Sequence, residues 1–109
     1  MQVRVTTTGR RTGQPRTVAL YAFETPSRAL VITGSWGGKA EDPAWAQNLR
    51  ANPNATVKVG RDERPVVARE VAGAERDELW ALVTREFPLY ETFQRRTARI
   101  IPLFVLEER

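Results

Sequence analysis

The chain has 109 residues, 41% of them hydrophobic, enough for one core and one domain. Its 17 Lys+Arg against 13 Asp+Glu give a formal charge of +4, which favours an anionic partner: nucleic acid, a phosphorylated small molecule or an acidic membrane surface. Cysteine and histidine are both absent, which excludes disulfides, thiolate nucleophiles, zinc on N or S ligands and a histidine base; a borrowed cofactor would supply the missing chemistry.

No apolar run approaches the roughly 18 residues of a transmembrane helix, and MQVRVTTT lacks the layout of a signal peptide. Val3, Val5 and Thr7 alternate with Arg4 and Thr6, which predicts a half-buried first strand. GRRTGQP is turn chemistry. RTVALYAFE is the second strand, with Val18, Leu20 and Ala22 on one face and Ala19, Tyr21 and Phe23 on the other. Both faces being apolar predicts cover on both sides. ALVIT, residues 29–33, is a short buried strand, and the glycine-rich GSWGGKAED follows.

A helix is predicted from Pro43, with Asp42 as its N-cap, and Asn52-Pro53 ends it. Residues 55–71 read as a hairpin about Gly60-Arg61-Asp62-Glu63. Residues 74–87 form the clearest helix, with Leu79, Leu82, Val83 and Phe87 on one stripe and Trp80 at its edge. Pro88 breaks it, LYETFQRRTAR predicts a second short helix, and a strand from about Ile101 to Leu106 closes the chain. The order β-β-β-α-β-β-α-α-β predicts a mainly β fold with inserted helices, a small barrel or strongly curled sheet.

Three stretches could carry chemistry. TTTGRRTGQPR, residues 6–16, has the parts of an anion nest: backbone N–H groups around glycines, with Arg11 and Arg16 flanking Thr12-Gly13. Solvated arginines on a turn explain the same pattern. GSWGGKAEDPAWAQN, residues 34–48, runs from a buried strand into glycines that let a planar ligand or a phosphate approach, and then into a helix N-terminus. PLYETFQRRTAR, residues 88–99, interleaves aromatics with arginines, as a pocket mouth or a single-strand nucleic-acid binder would. The adjacent carboxylate pairs, Glu41-Asp42 among them, fall at helix starts, turns and the tail, where they read as solvated.

Taken in this order and spacing, TTTGRRTGQPR, SWGGKAEDPAWAQNLRANP and FPLYETFQRRTARIIPLFVL closely resemble the deazaflavin-dependent nitroreductase family. The resemblance implies one split-β-barrel domain over residues 1–109, related to flavin reductases and FMN-binding proteins. It implies the deazaflavin coenzyme F420, a planar ring on a ribityl chain with a phospholactyl group and an oligoglutamate tail; FMN is the alternative. By resemblance Arg11, Thr12, Gly13 and Arg16 clasp the phosphate. Thr33, Gly34, Ser35, Trp36, Gly37 and Gly38 run along the ring and ribityl chain, and Trp45, Gln47 and Asn48 complete the cofactor cleft. Tyr90 and Phe93 cover the substrate side, with Phe93 nearer the core.

The implied activity is hydride transfer from reduced F420 to a quinone, nitroaromatic or activated alkene, with Ser35 and Tyr90 bonding the substrate oxygen. Two other readings stand beside it: a non-catalytic ligand-binding barrel and, last, a basic nucleic-acid module. The implied partner is a small electrophile, with no nucleic acid and no stable membrane insertion, in a cytoplasmic monomer or homodimer. The sequence departs from the family in two places. It begins almost at the first strand, where members usually carry a helical segment. Lys39-Ala40-Glu41-Asp42 stands where Ala-Pro-Lys-His is common, setting two acids where they would repel a glutamate tail.

Overall fold

The computed structural model describes residues 1–109. The elements are β1 (Gln2–Thr8), β2 (Pro15–Glu24), β3 (Leu30–Thr33), a single 3-10 turn (Trp36–Gly38), α1 (Ala44–Ala51), β4 (Asn54–Val59), β5 (Asp62–Glu70), α2 (Gly73–Glu86), α3 (Leu89–Arg95) and β6 (Leu103–Glu108). The strands close into a barrel in the order β1-β2-β3-β6-β5-β4, every pair antiparallel. Closure leaves no unpaired edge to template aggregation. The expected element order holds, and β4–β5 is the expected hairpin.

Two cores follow from the period-two alternation of the strands. Val3 and Val5 of β1, Ala22, Ile32, Val57, Val66, Phe104 and Leu106 point into the barrel. α1 plugs one opening with Trp45, Ala46 and Leu49, and the Trp45 ring meets Phe104 edge-on at 5.8 Å. The opposite faces of β2, β3 and β6 supply Phe23, Val31, Leu103 and Val105 to a second core under α2 and α3, which add Val83 and Tyr90. Strands β3 and β6 are therefore buried on both faces, which is why LVIT and LFVL are continuous apolar runs. Each fully buried Val, Leu, Ile or Phe contributes roughly 1.5–3 kcal/mol.

Three expectations change. Helix α1 starts at Ala44 with Pro43 as its N-cap; Asp42 makes no cap bond, because its carboxylate is taken by two arginines described below. Phe87 ends α2 rather than completing its stripe, and it is 39% exposed. Strand β2 is not covered on both sides: Ala19 and Tyr21 are exposed, and only Phe23 of that face is buried. The uncovered stretch of β2 forms a wall of the cleft.

Candidate cofactor cleft

A cleft of about 770 Å³ opens between the β1–β2 turn, the outer face of β2, the loop from Gly34 to Pro43 and the start of α1. One end is cationic. The turn is tight: the Gly9 N–H donates to the Gln14 carbonyl at 2.8 Å, the Gly13 N–H to the Gly9 carbonyl at 2.8 Å, and the Gln14 N–H to Thr12 Oγ1 at 3.2 Å. Gly13 sits at φ +73°, which explains the glycine. The backbone N–H groups of Gly9, Arg10, Gly13 and Gln14 are thus committed internally, so the nest expected from the sequence offers few of them to an anion. The positive charge toward the cleft comes from side chains instead. Arg11 and Arg16 line it and have no carboxylate within salt-bridge distance.

Asn48 holds this turn in place. Its side chain is buried, its Oδ1 accepts from both the Arg10 N–H and Arg10 Nη1 at 3.1 Å, and its Nδ2 donates to Thr7 Oγ1 at 3.1 Å. One neutral amide thereby ties α1 to β1 and to the basic turn. An asparagine buried without these partners would cost roughly 1–3 kcal/mol.

The other end is aromatic. Trp36 is 47% exposed and Tyr21 57%, both lining the cleft, while Tyr90 closes it from α3. Trp36 adopts φ +41°, a left-handed conformation that costs a bulky residue about 1–3 kcal/mol. Lys39 Nζ lies 4.2 Å from the centroid of its ring. Burial raises the pKa of the Tyr90 hydroxyl; the Thr33 hydroxyl opposes the rise and Tyr21 adds to it. The net direction is upward, so Tyr90 is a protonated donor at neutral pH. The Ser35 hydroxyl has no hydrogen-bond partner in the protein, and Ser35 lines the cleft. A second cavity of about 350 Å³, lined by Tyr21, Phe23, Glu86, Phe87 and Tyr90, abuts the first and shares Tyr21 and Tyr90 with it.

Of the residues singled out in the sequence, Arg11, Thr12, Arg16, Thr33, Ser35, Trp36, Trp45, Asn48 and Tyr90 converge on the cleft. Gly13, Gly34, Gly37, Gly38, Gln47 and Phe93 do not line it. The glycines shape its rims: a Cβ on Gly34 would stand 2.7 Å from Pro102 Cγ, and one on Gly38 2.5 Å from the Phe93 carbonyl oxygen. Gln47 Nε2 donates to the Asp42 carbonyl at 3.0 Å, fixing the start of α1. Phe93 is half-buried against the second core, its ring 6.3 Å from that of Tyr90. Sequence reasoning missed Arg10 and the β2 wall. The apolar alternation of β2 was visible in the sequence, but only the structure shows that the face carrying Ala19 and Tyr21 is left exposed.

A family model described as F420H(2)-dependent quinone reductase matches residues 2–108. The chain belongs to that family. An F420H(2)-dependent quinone reductase of Mycobacterium tuberculosis is 38% identical over 106 residues, covering 94% of this chain and 70% of the relative. The structure of an F420-H2-dependent reductase, FDR-A, superposes with a TM-score of 0.86 at 36% identity, covering 97% of this chain and 93% of the other. A further structure, described as a domain-swapped dimer, matches with a TM-score of 0.87 at 36% identity, over 97% of this chain and 79% of that one. The split-barrel fold and the F420-dependent class read from the sequence are both those of the F420H(2)-dependent quinone reductases. No helix of this member is long and apolar enough to cross a membrane.

The residues present fit the family's cofactor. The cleft volume lies within the 300–1,000 Å³ usual for small-molecule sites. It pairs unneutralised arginines at one end with exposed aromatic rings at the other. A planar ring on an anionic chain needs that polarity.

Proposed function

We propose that this F420-dependent reductase holds the cofactor phosphate at Arg11 and Arg16, lays the deazaflavin along Thr33, Ser35 and Trp36, and presents it to a quinone beside Tyr21 and Tyr90. The observation that carries this reading is the unpaired state of Arg11 and Arg16 in a cleft whose third arginine, Arg10, is hydrogen-bonded to Asn48. When bound and reduced, F420 supplies the hydride.

The chain's own residues bind, orient and exclude water. Arg11 and Arg16 neutralise the phosphate with charge-assisted hydrogen bonds. The β2 face and Trp36 shed water when a flat ring covers them. Tyr90, protonated and buried, donates toward an oxygen on which negative charge develops, and the free Ser35 hydroxyl is the second donor. No side chain has to act as a base, in keeping with a sequence lacking histidine and cysteine. The cavity between Tyr21, Phe23 and Phe87 suits the apolar part of a quinone. The repulsion expected from the acids at 41–42 is removed at Asp42, whose carboxylate is bonded to Arg50 and Arg99. That expectation was one of two grounds for a non-catalytic reading, the other being the start of the chain close to the first strand.

Titration with oxidised F420, followed by single-turnover oxidation of F420H2 by a soluble quinone, tests the proposal. Binding that survives loss of both Arg11 and Arg16 would place the phosphate elsewhere.

A further inference from the structure

The loop from Gly34 to Asp42 carries Ser35 and Trp36, yet it has little structure of its own. Its internal backbone bonds are Gly38 N–H to the Ser35 carbonyl and a longer 3.2 Å bond from Lys39 N–H to the Trp36 carbonyl. Trp36, Gly37 and Gly38 all have positive φ. Such a segment needs an outside partner to keep one shape.

That partner is Arg99. Its Nε donates to the Lys39 carbonyl at 2.8 Å, Nη1 to the Gly34 carbonyl at 3.0 Å and to Asp42 Oδ1 at 2.8 Å, and Nη2 to the Ser35 carbonyl at 2.9 Å. One guanidinium thus bonds both ends of the loop and the residue before Trp36. Its side chain is only 13% exposed. Asp42 continues the linkage: its other oxygen accepts from Arg50, which pairs with Glu70 on β5 at 2.8 Å. On the other side the Arg99 carbonyl accepts from Gln94 Nε2 of α3 at 2.7 Å, and Gln94 Oε1 accepts from the Ile101 N–H at 2.9 Å.

We propose that Arg99 is the positioning residue of the active cleft, fixing the Ser35–Trp36 segment to α3 so that the ring-binding and substrate-binding walls keep one spacing. It touches neither ligand and acts through the carbonyls of Gly34, Ser35 and Lys39. The inference deepens the proposed function and rests on that reading of the cleft. A planar guanidinium is required because three carbonyls and a carboxylate diverge from one point. A lysine ammonium has three donors and no fork.

The test combines amide hydrogen exchange without cofactor and F420 titration, on the parent, Arg99→Gln, Arg99→Lys and Asp42→Asn. Arg99→Gln should speed exchange of the Gly38 and Lys39 amides by about tenfold or more and leave the β4–β5 hairpin protected. The same variant should weaken F420 about tenfold. In a further variant, Arg99→Ala, which leaves room for the missing group, millimolar guanidinium should restore binding. Arg99→Lys should fall between parent and Arg99→Gln, and Asp42→Asn should be milder than Arg99→Gln because the three carbonyl bonds remain. Unchanged loop exchange in Arg99→Gln, or loss of protection throughout the barrel, would overturn the assignment. So would an Asp42→Asn effect exceeding that of Arg99→Gln. A parent that fails to bind F420 would instead sink the reading of the cleft, while the exchange data would still report on the clamp.

Discussion

The two loops that embrace the cleft are held in opposite ways. The β1–β2 turn is fixed by a neutral amide, Asn48, and leaves Arg11 and Arg16 without carboxylate partners. The loop from Gly34 to Asp42 is fixed by a charged group, Arg99, whose charge is offset by Asp42. A neutral anchor keeps the turn's positive field available to a ligand. A neutralised anchor gives the other loop shape without adding charge beside the ring. Elsewhere arginines are spent on exposed pairs, Arg69 with Glu75 and Glu107, and Arg64 with Asp62 and Glu108.

The comparison is broken most directly at the basic turn. Arg11→Ala and Arg16→Ala should each weaken F420 about tenfold, and together about a hundredfold, at roughly 1.5 kcal/mol per charge-assisted contact. Melting temperature without cofactor should stay at the parent value, because neither guanidinium has a partner in the protein to lose. A melt that fell with affinity would make the arginines structural.

At the glycine-rich loop the order of effects reverses. Gly38→Ala forces a Cβ to 2.5 Å from the Phe93 carbonyl at φ +79° and should destabilise the fold by about 1–3 kcal/mol. Thermal melts should fall clearly for this variant even where the remaining folded protein binds F420. A parent-like melt would show that α3 and the loop separate freely.

Asn48→Ala should do both at once, about 1–3 kcal/mol of stability and a measurable loss of affinity, since Arg10 and Thr7 lose one shared partner. If affinity held while stability fell, the turn would keep its shape without α1.

The smallest effect belongs to Tyr90→Phe. Removing one neutral donor should slow quinone reduction by up to about tenfold, leaving F420 affinity unchanged. The raised pKa of Tyr90 sets the pH sign. Its protonated form persists above the ordinary tyrosine value near 10, so a buried neutral Tyr90 contributes stability below that pH and loses it as pH rises through the folded value. Turnover of the parent should therefore show no loss attributable to this hydroxyl between pH 6 and about 9. A tyrosine-dependent limb inside that window would contradict its environment.

Much of this was legible in the sequence because alternation and turn chemistry are local. Val3, Val5 and Thr7 announced the inward face of β1, and Asn52-Pro53 the end of α1. The misreadings have a common origin in side chains whose partners lie far along the chain. Asp42 looked like a cap because Arg99 is 57 residues away. Tyr21 looked covered because an exposed apolar strand face cannot be told from a buried one by period alone. Arg99 sat in a basic, aromatic stretch that read as a pocket mouth or a nucleic-acid binder, with no role for this arginine, and only the fold turns it inward. The anion nest is thinner than the sequence suggests for a nearer reason: Gly9, Gly13 and Gln14 spend their N–H groups closing the turn.

We propose that the unpaired arginines of the basic turn hold the anionic chain of F420. The direct measurement is competitive titration of the parent and the Arg11→Ala/Arg16→Ala variant with F420 and FMN across a salt series. The parent should prefer F420 by about tenfold or more, roughly 1.4 kcal/mol, and the preference should shrink with salt and collapse in the double variant. Equal or tighter FMN binding by the parent, or an undiminished preference for F420 in the double variant, would contradict it.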